Sequence, residues 1–237
     1  MPATIILVHG AFAEAASWNR VSEHLLAAGH PVIAAANPLR SLAGDAAAIT
    51  DLVRAVEGPI VLVGHSYGGA VITNVAADAG DISALVFVAA FAPDAGESNI
   101  DLAMREPGST LAEALMPIPR SDGTVDLVID PSRFHDQFCA DLPGREAALL
   151  ATTQRPVTQA AVEEPSGPRS LWRDVPSAFV IGGADVTIPP ALQRWEAQRA
   201  DARRTVEIPG ASHAVAMSHP DETAEVVLQA AALRAAV

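Results

Sequence analysis

Lysine is absent from this chain: all 15 basic residues are arginine. A Schiff-base lysine, the lysine of a phosphate-binding loop and a lysine general base are excluded with it. Cysteine occurs once, at Cys139, so no internal disulfide forms and a thiolate metal site lacks its partners. A reducing, cytoplasmic setting is the expectation that follows. Aromatic residues make up only 4%, which leaves the core to alanine and branched aliphatics. Positive charge is scarce, with 15 basic residues against 28 acidic and a formal net charge of −13. Such a surface repels nucleic acid and anionic membranes, and neither is expected as a partner. Long hydrophobic runs are also missing. Thr4–Val8 is too short for a signal segment or a membrane span and has no basic stretch before it, so it reads as a buried strand.

What is present suits one large core. Half of the 237 residues are hydrophobic and 18% are charged, a balance that disfavours disorder. Near-continuous apolar runs occur at Ile5–Val8, Val32–Ala35, Ile60–Val63, Ala84–Ala89 and Ala178–Ile181, with a more polar sixth at Arg204–Ile208. Strands buried on both faces have this pattern. Helical stretches lie between them. Ser17 is placed to cap a helix carrying Trp18, Val21 and Leu25, with Gly29 as its stop, and Tyr67–Ala79 ends in the same way at Gly80. Pro220 suits a first helical position, with Asp221 and Glu222 in the first turn. Alternating strands and helices predict a mostly parallel six-stranded α/β sheet, covered on both faces.

Residues 99–170 break the alternation. They hold eight of the 18 prolines and no clear strand run. They are read as a helical cap inserted into a core of residues 1–98 and 171–237. Phe134, Phe138, Leu149 and Leu150 argue against a disordered loop, because such side chains need burial.

The motif with most chemical content is Gly64-His65-Ser66-Tyr67-Gly68-Gly69, directly after an apolar strand run and before a helix. G-x-S-x-G in that setting forms a sharp turn that exposes a serine hydroxyl at a helix N-terminus. Small residues are needed two places either side, and Gly64 and Gly68 supply them. A serine is a weak nucleophile without a base, and the base needs a carboxylate to fix its tautomer. Asp185, in Gly182-Gly183-Ala184-Asp185, and His213, in Gly210-Ala211-Ser212-His213, each follow a strand run, in the chain order Ser, Asp, His. Asp94 competes as the acid and His219 as the base. His9-Gly10-Ala11-Phe12 follows the first strand and places the backbone N–H of Ala11 opposite that of Tyr67, as an oxyanion hole. His9, His65, His24, His30 and His135 read as packing or surface residues.

On these residues the chain resembles the α/β-hydrolase superfamily, and more narrowly the small esterases related to plant methyl-salicylate-type esterases and hydroxynitrile lyases. The resemblance covers nearly the whole chain. It is carried by His9-Gly10-Ala11 with Trp18, by Gly64 through Gly69, by Val86-Phe87-Val88 through Pro93, by Asp185 through Pro190 with Trp195, and by Gly210 through His213. It implies a six-stranded core with an inserted helical cap, an esterase without cofactor or metal, and a pocket between the cap and Ser66. Phe12, Phe134 and Phe138 are then candidate lining residues. Trp18, on an apolar helix face, reads as core. The expected partner is a small to medium, fairly apolar ester, and assembly as a homodimer stays open. Hydroxynitrile lyases of the type resembled carry a lysine after the histidine and a hydroxyl residue in the first loop. Here Ala214 and Ala11 stand there, which counts against cyanohydrin cleavage. Ser66 counts against the aspartate-nucleophile dehalogenases and epoxide hydrolases. A ligand-binding receptor on the same fold is the remaining reading, and the complete triad weighs against it.

Overall fold

The structure is a computed structural model that describes residues 1–232. The chain begins with β1 (Thr4–Val8), α1 (Asn19–Ala27), β2 (Val32–Ala35), α2 (Leu42–Arg54), β3 (Pro59–His65), α3 (Tyr67–Thr73) and β4 (Asp81–Val88). An insertion follows, with α4 (Asn99–Ala103), α5 (Leu111–Ala114), β5 (Leu115–Pro119), β6 (Val125–Ile129), α6 (Phe134–Phe138), α7 (Gly144–Thr153), β7 (Val157–Thr158) and α8 (Gln159–Glu163). The chain then returns through β8 (Ser177–Gly182), α9 (Pro190–Arg199), β9 (Arg204–Ile208), α10 (Val215–Ser218) and α11 (Pro220–Ala232). All six expected strands are present. They form one parallel sheet in the order β2-β1-β3-β4-β8-β9. Fold class is therefore α/β, in the α/β-hydrolase arrangement.

Alternation along the strands divides the core in two. Ile5, Leu7, Val61, Val63, Val86, Val88 and Val180 face α1 and α11, where Val21, Leu25, Val226 and Val227 meet them. Ile6, Val8, Leu62, Leu85, Phe87 and Phe179 face α2, α3 and α9. Phe87 and Phe179 stack across neighbouring strands at 4.7 Å between ring centroids. Each such side chain contributes roughly 1.5–3 kcal/mol on burial. The register sets Val8 beside Gly64, and His65 beside Val88. The loops that leave these strands therefore share one edge of the sheet.

Four details differ from the sequence reading. Ser17 caps nothing: it lies inside a 3-10 turn, Ala15–Trp18, its N–H donating to Glu14 O at 2.9 Å, and α1 starts only at Asn19. Helix α3 stops at Thr73, well short of Gly80. The Asn74 amide donates back to Ala70 O and accepts from Gly167 N–H, which diverts the chain end from helical bonding. The insertion is not purely helical, because β5, β6 and β7 form an antiparallel sheet. Its strands were hidden by Pro117 and Pro119. Both fall on one side of the edge strand β5, the side that needs no donor. Leu149 is 62% exposed, so it is no evidence of burial in the insertion, whereas Phe134 and Phe138 are buried. No described helix is long and apolar enough to cross a membrane.

Asp45, Asp126 and Glu196 are buried carboxyls outside the expected site. Glu196, on the inner face of α9, is fully buried. Its Oε1 accepts Ala92 N–H at 2.8 Å, while Oε2 has no partner among the described residues. Burial pushes its pKa up to about 8. The fold thus holds a proton that the unfolded chain releases near pH 4.5, and stability falls as pH rises from there through about 8. The urea midpoint is expected to drop between pH 5 and 8, and Glu196→Gln, a neutral isostere, to flatten that drop. Equal slopes in the two proteins would contradict a neutral Glu196.

Candidate active site

Ser66 sits between β3 and α3 with φ 54° and ψ −125°, a backbone conformation that costs an L-residue about 1–3 kcal/mol. Its surroundings impose that conformation. The Ser66 N–H donates to Val88 O, and its carbonyl accepts from Gly69 and Phe91. Strand, helix and the loop after β1 come so close that a Cβ on Gly64 would lie 2.5 Å from Gly68 O. A Cβ on Gly68 would lie 2.4 Å from Val8 O, and one on Gly10 would lie 2.6 Å from the Ser66 Cβ. The Tyr67 hydroxyl donates to buried Asp45 at 2.8 Å, which anchors the first turn of α3.

Asp185 and His213 come together although 28 residues separate them. His213 Nδ1 lies 2.7 Å from Asp185 Oδ2, and both side chains are fully buried. The ring nitrogen beside a carboxylate carries the hydrogen, which leaves Nε2 as the basic atom. That Nε2 is buried and makes no hydrogen bond among the described residues; Ser66 Oγ likewise makes none. The second carboxylate oxygen, Oδ1, accepts N–H groups from Thr187 at 2.7 Å and Ile188 at 2.9 Å. His65, next to Ser66 in the chain, donates from Nε2 to the His213 carbonyl at 3.0 Å, with the two rings 4.8 Å apart. Burial, then the neighbouring His213, pushes the His65 pKa down to about 3. His65 is thus a neutral brace for the His213 loop, a role that a generic packing histidine does not convey.

The loop after β1 is held just as firmly. Asn37 N–H donates to His9 Nε2 at 3.1 Å, and His9 Nδ1 meets Gly10 O at 2.9 Å. Burial pushes the His9 pKa down to about 4, so this ring is neutral and structural. Phe12 has φ 63° and donates its N–H to Arg155 O. The N–H of Ala11 makes no hydrogen bond among the described residues, and that of Tyr67 occupies the first helical position, where no helical acceptor exists.

Phe12, Phe134 and Phe138 line one narrow cleft of about 60 Å³, together with Leu150 and Met217. Phe138 also meets the His213 ring edge-on at 5.1 Å. Trp18 is buried against His65. The segment after Phe134 grips both catalytic-candidate loops. Ala214 N–H donates to Phe138 O, and Asp141 accepts from both the N–H and the hydroxyl of Ser212. Thr187 donates to Gln137 O at 2.9 Å, and the Gln137 amide donates to Val186 O at 3.1 Å. None of these polar contacts was legible in the sequence, since neither Gln137 nor Asp141 stands in a motif.

The competing residues lie elsewhere. Asp94 pairs with Arg173 and accepts from Ser170, and the Arg173 guanidinium holds its carboxyl well below the usual range. His219 meets Glu222 at 3.4 Å and Asp141 at 3.7 Å at the start of α11. His24 pairs with Asp221, while His30 and His135 meet the carbonyls of Ala3 and Leu142. Adding a methyl group at the crossing is expected to be costly. Gly68→Ala should lower stability in urea by about 1–3 kcal/mol. Gly144→Ala, whose Cβ would meet nothing closer than 3.8 Å, should leave it unchanged or raised. Equal effects would show that the crossing has slack.

Comparison with known proteins agrees with this architecture. Residues 5–226 match the profile of the Alpha/beta hydrolase family. Esterase PIR7B of Oryza sativa subsp. japonica is 29% identical, over 95% of this chain and 94% of its own. Salicylic acid-binding protein 2 of Nicotiana tabacum is 25% identical, over 95% of this chain and 96% of its own. The crystal structure of polyneuridine aldehyde esterase superposes with a TM-score of 0.80, at 20% identity, over 97% of this chain and 99% of that one. With its parallel sheet, its strained serine turn and a profile match across nearly its whole length, the chain belongs to the alpha/beta hydrolase family.

Proposed function

We propose that the protein is a carboxylesterase-type serine hydrolase acting on a small, fairly apolar ester. The observation that carries this reading is a buried imidazole held by Asp185 on one side and left uncommitted on the other, at the sheet edge where Ser66 leaves its strand. In the proposed reaction Ser66 Oγ attacks the ester carbonyl and its proton passes to His213 Nε2. The negative oxygen of the tetrahedral intermediate is met by the N–H groups of Ala11 and Tyr67. Collapse of the intermediate breaks the carbon–oxygen bond, and His213 returns the proton to the departing alcohol. Water, deprotonated by the same nitrogen, then releases the acid from Ser66. Asp185 steadies the charged ring throughout. In this reading residues 99–170 act as a cap, and Phe138, edge-on to His213, shapes the acyl or alkoxy site with its cleft neighbours Phe12 and Phe134. The rice relative bears the name esterase, which supports the reaction class and leaves the substrate to experiment.

The test is the initial rate of p-nitrophenyl acetate hydrolysis. The wild type is expected to turn over, and Ser66→Ala to lose about 10⁴-fold or more in kcat/KM. Equal rates in the two proteins, or none in either, would overturn the reading.

A further inference from the structure

Gln193 takes no part in the reaction described above, yet it touches the carboxylate on which His213 depends. It lies on the inner face of α9, eight residues after Asp185, and is 1% exposed. Its Nε2 donates to Asp185 Oδ2 at 2.9 Å and to Ile188 O at 2.6 Å. Oδ2 is also the oxygen that receives His213 Nδ1.

We propose that Gln193 is a positioning residue for Asp185, fixing the carboxylate plane so that Oδ2 faces the His213 ring; the inference rests on the hydrolase reading. The amide has only one workable orientation. Reversed, its oxygen would face both a carboxylate oxygen and a backbone carbonyl, so the hydrogen-bond partners fix which atom is nitrogen. In the orientation found, Oε1 is buried without a partner among the described residues. A leucine or methionine of similar size would avoid the orphaned amide oxygen but would take a donor from Asp185 Oδ2 and leave Ile188 O without one. The two acceptors of the amide nitrogen, Ile188 O and Asp185 Oδ2, account for an amide here, and the second ties it to the carboxylate that receives His213. With the Thr187 and Ile188 N–H groups on Oδ1 and Gln193 on Oδ2, the carboxylate has three donors besides His213. Together they prevent it from rotating away from the ring.

The donor also acts electrostatically. It draws charge from Oδ2, which moderates how strongly Asp185 favours a charged imidazole. The other titratable groups near this cluster are otherwise engaged. His65 comes from β3 and donates to the His213 carbonyl. Asp141 comes from the insertion and accepts from Ser212. Glu196, one turn along α9, is turned to Ala92 N–H, and the Arg199–Glu97 pair lies beside it. His9 stands beyond His65 on the loop after β1.

The test uses Gln193→Met, which keeps the volume and removes both donors, with the pH profile of p-nitrophenyl acetate hydrolysis as the readout. The kcat is expected to fall about tenfold or more with KM unchanged, as loss of orientation predicts. The acidic limb of kcat/KM should move to higher pH by about half a unit or more, since the undiluted carboxylate favours the charged ring. If Gln193→Met does not fold, Gln193→Leu removes the same donors with a smaller side chain and should shift the limb in the same direction. A profile superimposable on the wild type, with only the melting temperature lowered, would overturn the proposal and leave Gln193 a packing residue. The low-field proton resonance of His213 Nδ1–H, followed against pH in Ser66→Ala and in Ser66→Ala with Gln193→Met, gives a readout that needs no turnover. Absence of wild-type hydrolysis would defeat the esterase reading alone, and an unmoved resonance would defeat the role of Gln193 alone.

Discussion

Three backbones approach one another where β1, β3 and α3 meet, and the rest of the site is arranged around that approach. Carbonyl oxygens of Val8 and Gly68 occupy the space that side chains at Gly68 and Gly64 would need. Because the strand and helix are that close, the connecting residue has no relaxed conformation available, and Ser66 is held in a strained one. The strain persists because the parallel sheet fixes both ends. Its register aligns the ends of β1, β3 and β4, so the loops bearing His9, Ser66 and Ala90 emerge side by side.

Much of this was legible because burial on both faces leaves a simple signature. Strands β1 and β2 were read to within a residue of their observed bounds, and Ile60–Val63 and Ala178–Ile181 lie within β3 and β8. The serine turn was legible for a related reason: the steric demand is local, so its glycines sit at fixed offsets. The pairing of Asp185 with His213 could be anticipated only by analogy of chain order, because 28 residues separate them. Other features depended on contacts between distant segments and left no local trace. Helix α3 ends early because of Asn74 and Gly167, and β5 depends on β6 for its existence. Gln193 stands in no motif that the sequence displays. Its amide acquires meaning only when α9 packs beneath the Asp185 loop.

The polar interior is sorted by charge state. His9 and His65 are buried as neutral rings whose hydrogen bonds go to backbone groups. Glu196 is buried beside a lone N–H. Asp185, by contrast, gathers four donors, the company that a carboxylate needs once it leaves water. Similar burial therefore goes with a single N–H donor at Glu196 and with four donors at Asp185. The difference lies in the number of donors that converge.

The grip of the inserted segment on the loops beneath it has a consequence for how that segment can move. Phe138 and Asp141 hold the residues on either side of His213, and Gln137 holds the chain just after Asp185. Were the insertion to swing away as one rigid flap, it would pull on the His213 and Asp185 loops together and break the hydrogen bonds that hold them. Small rearrangements at the margin, where Leu150 and Met217 flank the cleft, would leave those bonds intact. The insertion is in this respect a fixed roof rather than a hinged lid.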